Sequence, residues 1–346
     1  MHTIGLMRNY KEPTKLALIM AKTLRYYGID LVYFTPRSVN MITNKVTGEV
    51  LRDEIWVRVV IDVPKIIDIS PICFQKENEE VINYLMDTVY LTDDMYNRIN
   101  KYNVQQYIKE DAELAKYAIP SHLLSDVDTF MTFINEHTNV VLKPEYGGEE
   151  KHVYLIEKGM FGYRVKYGKK AISMSEAKLI ELIQGLVKQR YIVQKFIHSQ
   201  TLDGQPFNCR LHFEKDGFGD WEIASYHAKV DIEKNIVGKI RQKNGVIDIE
   251  YIFKNLFKNK WKEINEKVLE LADILPYKIE QFRQRSLMTL GIDIGVSRNG
   301  NIYIFEVIGA PSTDYIEYNV VNFRTQYYKY LLDQQTELDT MNQMQV

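Results

Sequence analysis

The chain has 346 residues, 45% of them hydrophobic, so it can bury a large core and is long enough for two or three domains. Its 44 Lys and Arg residues against 46 Asp and Glu residues give a formal charge of -2, without a basic tail or an Arg-rich run. This balance argues against nucleic acid as a main partner, because a protein that neutralises a row of phosphates needs a basic surface.

The sequence also argues against a disulfide-stabilised or membrane-spanning protein. The two cysteines, Cys73 and Cys209, form neither a disulfide framework nor a metal knuckle, and we expect both to be small buried apolar residues. No apolar run approaches about 18 residues, and the apolar run at the start of the chain is ended by Arg8 and Lys11. We therefore expect a cytoplasmic protein without a signal peptide or a membrane span.

The first predicted elements form a β-α-β unit. Thr3 to Met7 reads as a buried strand, Pro13 opens an amphipathic helix, and Ile29 to Phe34 reads as a second strand. Because parallel strands need such a crossover, this start predicts a doubly wound parallel sheet. The turn after the first strand, residues 8–12, lacks the glycines of a dinucleotide site.

One or two more strands complete the predicted N-terminal domain. Ile55 to Ile69 is strongly apolar and is interrupted at Pro64, and Glu79 to Asp87 can form a helix with Asn78 as its N-cap. We place this α/β domain at residues 1–98.

The next stretch, residues 99–192, predicts a small α+β unit. A helix begins near Lys101, and the strand Asn139 to Lys143 leads into a loop that contains Gly147 and Gly148. A loop with two adjacent glycines between antiparallel strands can offer its backbone N–H groups to a polyphosphate, although a plain hairpin turn has the same pattern.

The following strands carry polar residues within apolar surroundings. Tyr191 to Ile197 includes Gln194 and Lys195, which is typical of a strand whose backbone faces a ligand. Two further strands, Phe207 to Phe213 and Trp221 to Val230, place Arg210 and Lys229 among apolar neighbours.

The stretch from Leu290 to Pro311 predicts a hairpin with a metal site. Asp293 lies on one apolar strand and Glu306 on the next, and the turn between them contains Gly300. Two carboxylates brought together in this way favour a divalent cation, although either acid could instead be a solvated turn residue. A final helix, residues 320–337, closes a C-terminal antiparallel α+β domain at residues 193–337, and residues 338–346 read as a tail.

Four segments resemble the ATP-grasp superfamily, and most closely its spore-coat-associated YheC/YheD-like branch. They are Asn100-Lys101-Tyr102 followed by ELAKYAIP, Val141-Leu142-Lys143-Pro144, Tyr191 to Ile197, and GIDIG followed by IYIFEV. Phe207-Asn208-Cys209-Arg210 further resembles the branch's F-D-x-R phrase, with an asparagine in place of the acid. The resemblance covers about residues 95–315 and implies an ATP-grasp fold with an N-terminal doubly wound domain, a small central lid and a C-terminal α+β domain.

The resemblance also implies the ligands and the roles of the site residues. ATP carries about four negative charges, so its site needs cations and Mg²⁺. The reaction implied is attack of a substrate carboxylate on the γ-phosphate to form an acyl phosphate, followed by displacement of phosphate by an amine. The implied ATP contacts are Lys101, Lys143, Gly147, Gly148, Gln194, Lys195 and Ile197. The implied metal ligands are Asp293 and Glu306, and Arg210, Lys229 or Arg241 would bind the acid or stabilise the tetrahedral intermediate, unless they are surface or structural cations.

Two features of the sequence depart from the family pattern. Glu150 and His152 stand where the loop after Lys143 usually has glycines, and a side chain there hinders close approach of the backbone to a phosphate. Ile308 stands where an asparagine usually completes the metal shell, and an isoleucine cannot bind Mg²⁺. Water, or one of Ser312, Thr313 and Asp314, would have to replace it, unless one metal position is weak or turnover has been lost.

These observations leave three hypotheses. The first is an ATP-dependent carboxylate–amine ligase that acts on a small metabolite, a peptide or a cell-surface polymer precursor. The second is a catalytically weakened or silent ATP-grasp-fold protein that binds a nucleotide or a partner in a structural or assembly role. The third is a kinase-like use of the same site. Dimers are common in the superfamily, so a homodimer is a candidate assembly.

Overall fold

The computed structural model describes residues 2–93, 100–145, 152–168, 170–231 and 244–344, with only the backbone described for residues 244 and 337–344. These residues form three sheets that follow one another along the chain. The predicted site residues Gly147, Gly148 and Arg241 lie outside the described ranges, as does Glu150. None of the described helices is both long enough and apolar enough to cross a bilayer.

The first sheet confirms the predicted β-α-β start. Its strands are β1 (His2–Met7), β2 (Ile29–Phe34), β3 (Val39–Asn40), β4 (Lys45–Arg52), β5 (Ile55–Asp62), β6 (Ile66–Ile69) and β7 (Tyr90–Leu91), and its helices are α1 (Lys15–Arg25) and α2 (Glu79–Thr88). The spatial order is β3-β4-β2-β1-β6-β7, with β5 beside β4, and β1 is parallel to both β2 and β6. The side chain of Thr14 caps α1 by accepting a hydrogen bond from the backbone N–H of Ala17 at 3.2 Å.

No sequence pattern predicts the antiparallel hairpin of β4 and β5. The strands pair from Lys45 opposite Asp62 to Arg52 opposite Ile55. The turn residues Asp53 and Glu54 have φ of 44° and 67°, which is the type I′ geometry that usually requires Asn-Gly. Because neither turn residue is glycine, the sequence of the turn does not indicate a hairpin. The antiparallel pairing of β4 and β5 makes the sheet mixed rather than purely parallel.

The second sheet forms the predicted central unit. It is preceded by α3 (Lys101–Glu110) and contains β8 (Ser121–Leu123), β9 (Asn139–Pro144), β10 (Tyr154–Gly159), β11 (Gly162–Tyr167), β12 (Lys170–Met174) and β13 (Tyr191–Lys195), with helices α4 (Val127–His137) and α5 (Glu176–Val187). The spatial order is β12-β11-β10-β9-β13-β8, with antiparallel neighbours throughout. The strand that contains Lys143 therefore lies directly beside the strand that contains Gln194.

The third sheet is wholly antiparallel, as predicted for the C-terminal domain. It contains β14 (Phe207–Lys215), β15 (Trp221–Asp231), β16 (Asn244–Ile247), β17 (Thr289–Val296) and β18 (Ile302–Ile308), in the order β16-β15-β14-β17-β18. Helices α6 (Ile249–Phe257) and α7 (Trp261–Arg283) connect β16 to β17. The predicted hairpin is confirmed, and Gly300 takes φ of 81° in its turn.

The last helix, α8 (Glu317–Met344), packs on the first sheet and also contacts strands β14 and β15 of the third. Val321, Tyr327, Tyr328 and Leu332 join the apolar core formed by α1, β1 and β2. Because α8 continues to Met344, the residues expected as a tail from 338 are helical up to that point. The domain limits at residues 98, 192 and 337 stay predictions.

A buried charge cluster joins α8 to the first and third sheets. Arg324 Nε donates to Glu214 Oε2 at 3.0 Å, and Arg324 Nη1 lies 3.4 Å from Asp68 Oδ2. Asp68 also contacts Arg8 Nη2 at 2.9 Å and accepts a hydrogen bond from the Tyr328 hydroxyl. Burial alone would raise the pKa values of Asp68 and Glu214, but the neighbouring cations hold both below their ordinary values. The cluster therefore keeps two carboxylates ionised between the sheets.

Candidate active site

A cavity of about 320 Å³ is lined by residues of both the second and the third sheets. Its lining includes strands β9 and β13 of the second sheet, four strands of the third sheet, and the start of α3. The predicted site residues that line it are Lys101, Lys143, Gln194, Lys195, Ile197, Arg210, Lys229, Asp293 and Glu306. Side chains that are far apart in the sequence are thus gathered in one place.

Strand pairing brings the two predicted metal ligands together. Asp293 on β17 lies directly opposite Glu306 on β18, and a register shift follows immediately after Asp293. Asp293 is only 7% exposed. The hairpin therefore presents two carboxylates side by side at the cavity wall.

Arg210 is the immediate partner of Asp293. The two residues face each other across β14 and β17, and Arg210 makes a two-pronged contact through Nε and Nη2, the second at 2.6 Å from Asp293 Oδ2. Burial would lower the pKa of Arg210, but the charges of Asp293 and Glu306 raise it above the ordinary value. The cavity therefore contains a permanently charged guanidinium fixed in orientation by a buried carboxylate.

Two lysines extend this cationic surface. Lys101 Nζ lies 3.2 Å from Glu306 Oε1. Burial and the nearby Lys101 ammonium lower the pKa of Lys143 to about 8, although Glu306 acts in the opposite direction. Among the described residues, no carboxylate lies within ion-pair distance of Lys143. An anion in the cavity would supply this missing partner.

Strand β13 supplies two polar residues, Gln194 and Lys195, to the cavity wall. Gln194 pairs with Val141 on β9 and with Ser121 on β8, and the residue is 6% exposed. The Gln194 amide nitrogen is buried without a hydrogen-bond acceptor. A buried donor without a partner is costly, so a ligand with an acceptor atom would be stabilised at this wall.

Phe305 is a cavity residue that the sequence did not indicate. The register passes from Glu306 opposite Asp293 to Ile304 opposite Ile294, so Phe305 is the extra residue of a bulge. Its ring lies over Gly295, where a Cβ atom would be 1.9 Å from Phe305 Cζ. Gly295 therefore makes room for the aromatic ring that closes this side of the cavity.

The sequence also did not indicate two further cavity residues, Asn208 and Asp231. Asn208, opposite Lys229 across β14 and β15, and Asp231, two residues beyond Lys229, both line the cavity. Period-two alternation along β15 could have identified Asp231, since residues i and i+2 share a face.

The departure at His152 has a structural explanation. His152 takes φ of 62°, a left-handed conformation that favours glycine. The Tyr167 hydroxyl lies 3.2 Å from His152 Nδ1. The backbone geometry expected of a glycine is therefore kept at this position by a histidine.

The residues that follow Ile308 do not supply the metal-binding oxygen that an isoleucine lacks. Ile308 lies opposite Gly291, and Pro311 packs on Gly291. Ser312, Thr313 and Asp314 line a different cavity, which also contains Arg8 and Asp68, and are not part of the cavity around Asp293. They therefore do not supply the missing oxygen beside Glu306.

The donor set still fits one hard cation. Asp293 and Glu306 offer carboxylate oxygens, which Mg²⁺ prefers. In the part of the chain that the structure describes, no group of three or more His, Cys, Asp and Glu side chains could hold a metal ion. A Mg²⁺ ion held here would therefore take its other oxygens from phosphate or water, as Mg²⁺ commonly does at phosphate sites.

The chain is similar in sequence to known proteins over most of its length. The family model described as YheC/D like ATP-grasp matches residues 94–336. The endospore coat-associated protein YheC of Bacillus subtilis (strain 168) is 19% identical over 327 residues, which cover 90% of this chain and 89% of that protein. The endospore coat-associated protein YheD of the same organism is 20% identical over 325 residues, which cover 89% of this chain and 70% of that protein.

Solved structures share the architecture at low sequence identity. D-cycloserine synthetase DcsG has a TM-score of 0.54 and 12% identity, and the match covers 95% of this chain and 99% of that one. The ATP-grasp ligase PsnB, complexed with minimal precursor, has a TM-score of 0.53 and 14% identity, with 91% and 93% covered. N5-carboxyaminoimidazole synthetase from Staphylococcus aureus, complexed with ADP, has a TM-score of 0.51 and 12% identity, with 94% and 77% covered. These likenesses concern the fold.

Proposed function

The chain belongs to the YheC/D-like ATP-grasp family and has the ATP-grasp fold, and on that premise we propose that it is an ATP-dependent carboxylate–amine ligase. The observation that carries this proposal is the single cavity that gathers Lys101, Lys143 and Arg210 with the carboxylates Asp293 and Glu306. Cations beside a carboxylate pair suit a polyphosphate with its metal ion better than a neutral ligand.

In the proposed reaction, a substrate carboxylate oxygen attacks the γ-phosphorus of ATP, and the bond from that phosphorus to the bridging oxygen breaks to release ADP. An amine then attacks the acyl carbon of the acyl phosphate, loses a proton and expels phosphate, which leaves an amide. Lys143 and Lys101 would hold the phosphates, and Arg210 would stabilise negative charge on the reacting oxygens. Mg²⁺, when bound by Asp293 and Glu306, would neutralise phosphate charge. Lys229 and Arg241 stay proposed contacts of the acid.

The adenine end of ATP is assigned to β13. Gln194 and Lys195 on β13, and Ile197 just beyond it, line the cavity. The buried amide nitrogen of Gln194 would find an acceptor on the purine. Gly147 and Gly148 stay proposed phosphate contacts.

The substrates are proposed to be a small-molecule or peptide carboxylate and an amine. PsnB binds a precursor in its solved complex, and DcsG is a D-cycloserine synthetase. Structures of this fold therefore include a protein that binds a precursor and a protein named for the synthesis of a small molecule. A cell-surface polymer precursor is a further candidate, in keeping with the coat-associated names of YheC and YheD.

A silent, nucleotide-binding role is the second candidate, and one observation favours it. Ile308 supplies no oxygen beside Glu306, and both carboxylates already have a cationic partner, Asp293 through Arg210 and Glu306 through Lys101. Such a site could bind a nucleotide without turning it over.

The first experiment is a titration with ATP and Mg²⁺. We expect metal-dependent binding to the wild type and a loss of at least about 10–100-fold in Asp293→Asn, because losing even an outer-shell partner of a metal ligand has effects of this size. Asp87→Asn, an exposed acid on α2, should bind like the wild type. Wild-type protein that shows no metal-dependent binding would contradict the ligase proposal.

ADP release then separates the three hypotheses. A panel of acids and amines is added to the wild type with Mg²⁺ and ATP. A ligase needs both an acid and an amine, a kinase-like enzyme needs one acceptor, and a silent protein releases no ADP with any pair.

Gly295→Ala is expected to weaken nucleotide binding by about tenfold, equivalent to about 1.4 kcal/mol. The new methyl group would overlap Phe305 Cζ, so the ring has to move within the cavity wall. Overpacking of this kind typically costs about 1–3 kcal/mol of stability. Calorimetric titration and thermal unfolding measure the two effects. Gly185→Ala on α5 is the control, because its Cβ would meet nothing within 4 Å, and unchanged binding in Gly295→Ala would remove Phe305 from the site.

A further inference from the structure

Strand β5 has a free edge that carries apolar residues. Among the described strands β5 pairs only with β4. Ile55, Val57 and Val60 are 68%, 42% and 63% exposed, and the strand contains no proline or bulge that would hinder further pairing. Such an edge is a ready template for another strand.

The other sheet edges of the described chain are short or covered. The edge strands β3 and β7 have two residues each, β8 has three, β16 has four and β12 has five. β18 has seven, but α3 covers it, and Gln105 Nε2 donates to the carbonyl of Ile304 at 2.8 Å. With eight residues, β5 is thus the longest edge left uncovered among the described strands.

Backbone geometry decides which groups of β5 point outward. In a hairpin closed by a two-residue turn, the residues that flank the turn, here Arg52 and Ile55, exchange hydrogen bonds with each other. Every second residue from Ile55 therefore bonds to β4. The backbone N–H and C=O groups of Trp56, Arg58, Val60 and Asp62 consequently point to the free edge.

We propose that β5 pairs antiparallel with β5 of a second copy of this chain, with Val60 at the twofold axis. This register uses the outward groups of Arg58, Val60 and Asp62, and it places Arg58 of each copy opposite Asp62 of the other. Opposite charges at directly opposed positions stabilise a strand pair.

The charges select this register over the nearest alternative. A pairing centred on Val59 uses the same outward groups, but it places Arg58 opposite Val60 and Asp62 opposite Trp56, so neither charge has a partner across the new edge. Asp62 is 2.8 Å from Lys45 on its own hairpin, so the proposed pairing would extend an existing ion pair. The strand is complementary to itself, which is why a second copy is the occupant proposed.

Sedimentation measures the association. Because the shared edge is short, we expect the mass-average mass to rise from 40.7 kDa toward twice that value as the concentration is raised through the micromolar range. Val60→Lys places two ammonium groups at the axis and should keep the protein monomeric at every concentration. Ile42→Lys is the matched control, because Ile42 is 97% exposed in the same domain but lies off β5, and it should dimerise like the wild type. Equal melting temperatures would show that both variants fold. A wild type that stays monomeric, or a Val60→Lys variant that still dimerises, overturns the proposal.

Cysteine crosslinking tests the register. Both native cysteines are 0% exposed, so an introduced thiol is the reactive one. We expect a short bis-maleimide to link Val60→Cys to itself rapidly and Ile42→Cys slowly. In mixtures, Arg58→Cys should link to Asp62→Cys faster than to Val60→Cys. The reverse order would overturn the register, and equal rates at positions 60 and 42 would overturn the interface.

Discussion

Arg324→Met is expected to lower the free energy of unfolding by about 3–5 kcal/mol, because it leaves buried carboxylates without their shared cation. Arg324 contacts both Glu214 and Asp68, which are 0% and 2% exposed, and all three side chains lie between α8 and two sheets. Arg8 remains beside Asp68, so most of the loss should come from Glu214. Urea unfolding followed by circular dichroism measures the effect.

The pH dependence distinguishes lost charge from lost packing. The pKa values of Asp68 and Glu214 are depressed in the folded protein, so the stability they contribute is present above their unfolded pKa values and is lost as the pH falls through the folded ones. In acid the carboxyls no longer need a cation, and the difference between wild type and variant should shrink. A difference that stays constant with pH would point to packing alone.

A surface lysine provides the control for this experiment. Lys267 pairs with Glu263 at 2.6 Å on α7, and the two side chains are 50% and 62% exposed. Because water solvates exposed charges well, Lys267→Met should leave the unfolding midpoint unchanged. If Arg324→Met also left the unfolding midpoint unchanged, the buried charge cluster would not be what holds α8 to the sheets.

Lys143→Met is expected to weaken ATP binding by about 100-fold, since a hydrogen bond to a charged group contributes about 1.5–3 kcal/mol. The same substitution should leave the unliganded protein equally stable or more stable. Burial opposes the charge of Lys143 and lowers its pKa. Below about pH 8 the buried ammonium therefore lowers the free energy of unfolding. This cost is relieved as the pH rises from about 8 toward the ordinary pKa of lysine. Opposite effects on binding and stability are typical of a residue kept for a ligand.

The lowered pKa also predicts how binding changes with pH. Phosphate binds the ammonium form, so ATP affinity of the wild type should fall by up to about tenfold per pH unit above about pH 8. Lys143→Arg keeps its charge and should show a flat profile over the same range, as should Lys143→Met at its lower affinity. Titrations between pH 7 and pH 9.5 measure these slopes, and a wild-type slope shared by all three proteins would exclude Lys143 as the titrating group.

Short-range patterns were sufficient for most of the fold. The β-α-β start, the antiparallel third sheet and the hairpin of Asp293 and Glu306 were all predicted, because each depends on apolar periodicity and turn residues that lie close together in the chain. The hairpin of β4 and β5 was not, because its turn residues Asp53 and Glu54 adopt positive φ without glycine or asparagine.

The sequence by itself therefore determined the family, the order of the elements and the residue types that a polyphosphate and a metal ion require. Only the tertiary structure decided that Arg210 faces Asp293 across 83 positions, that Phe305 leaves the register to lie on Gly295, and that α8 returns to the first sheet. These features depend on strand register and packing between distant segments. Strand register and long-range packing produce no pattern in the neighbouring sequence, because the partner that stabilises each residue lies elsewhere in the chain.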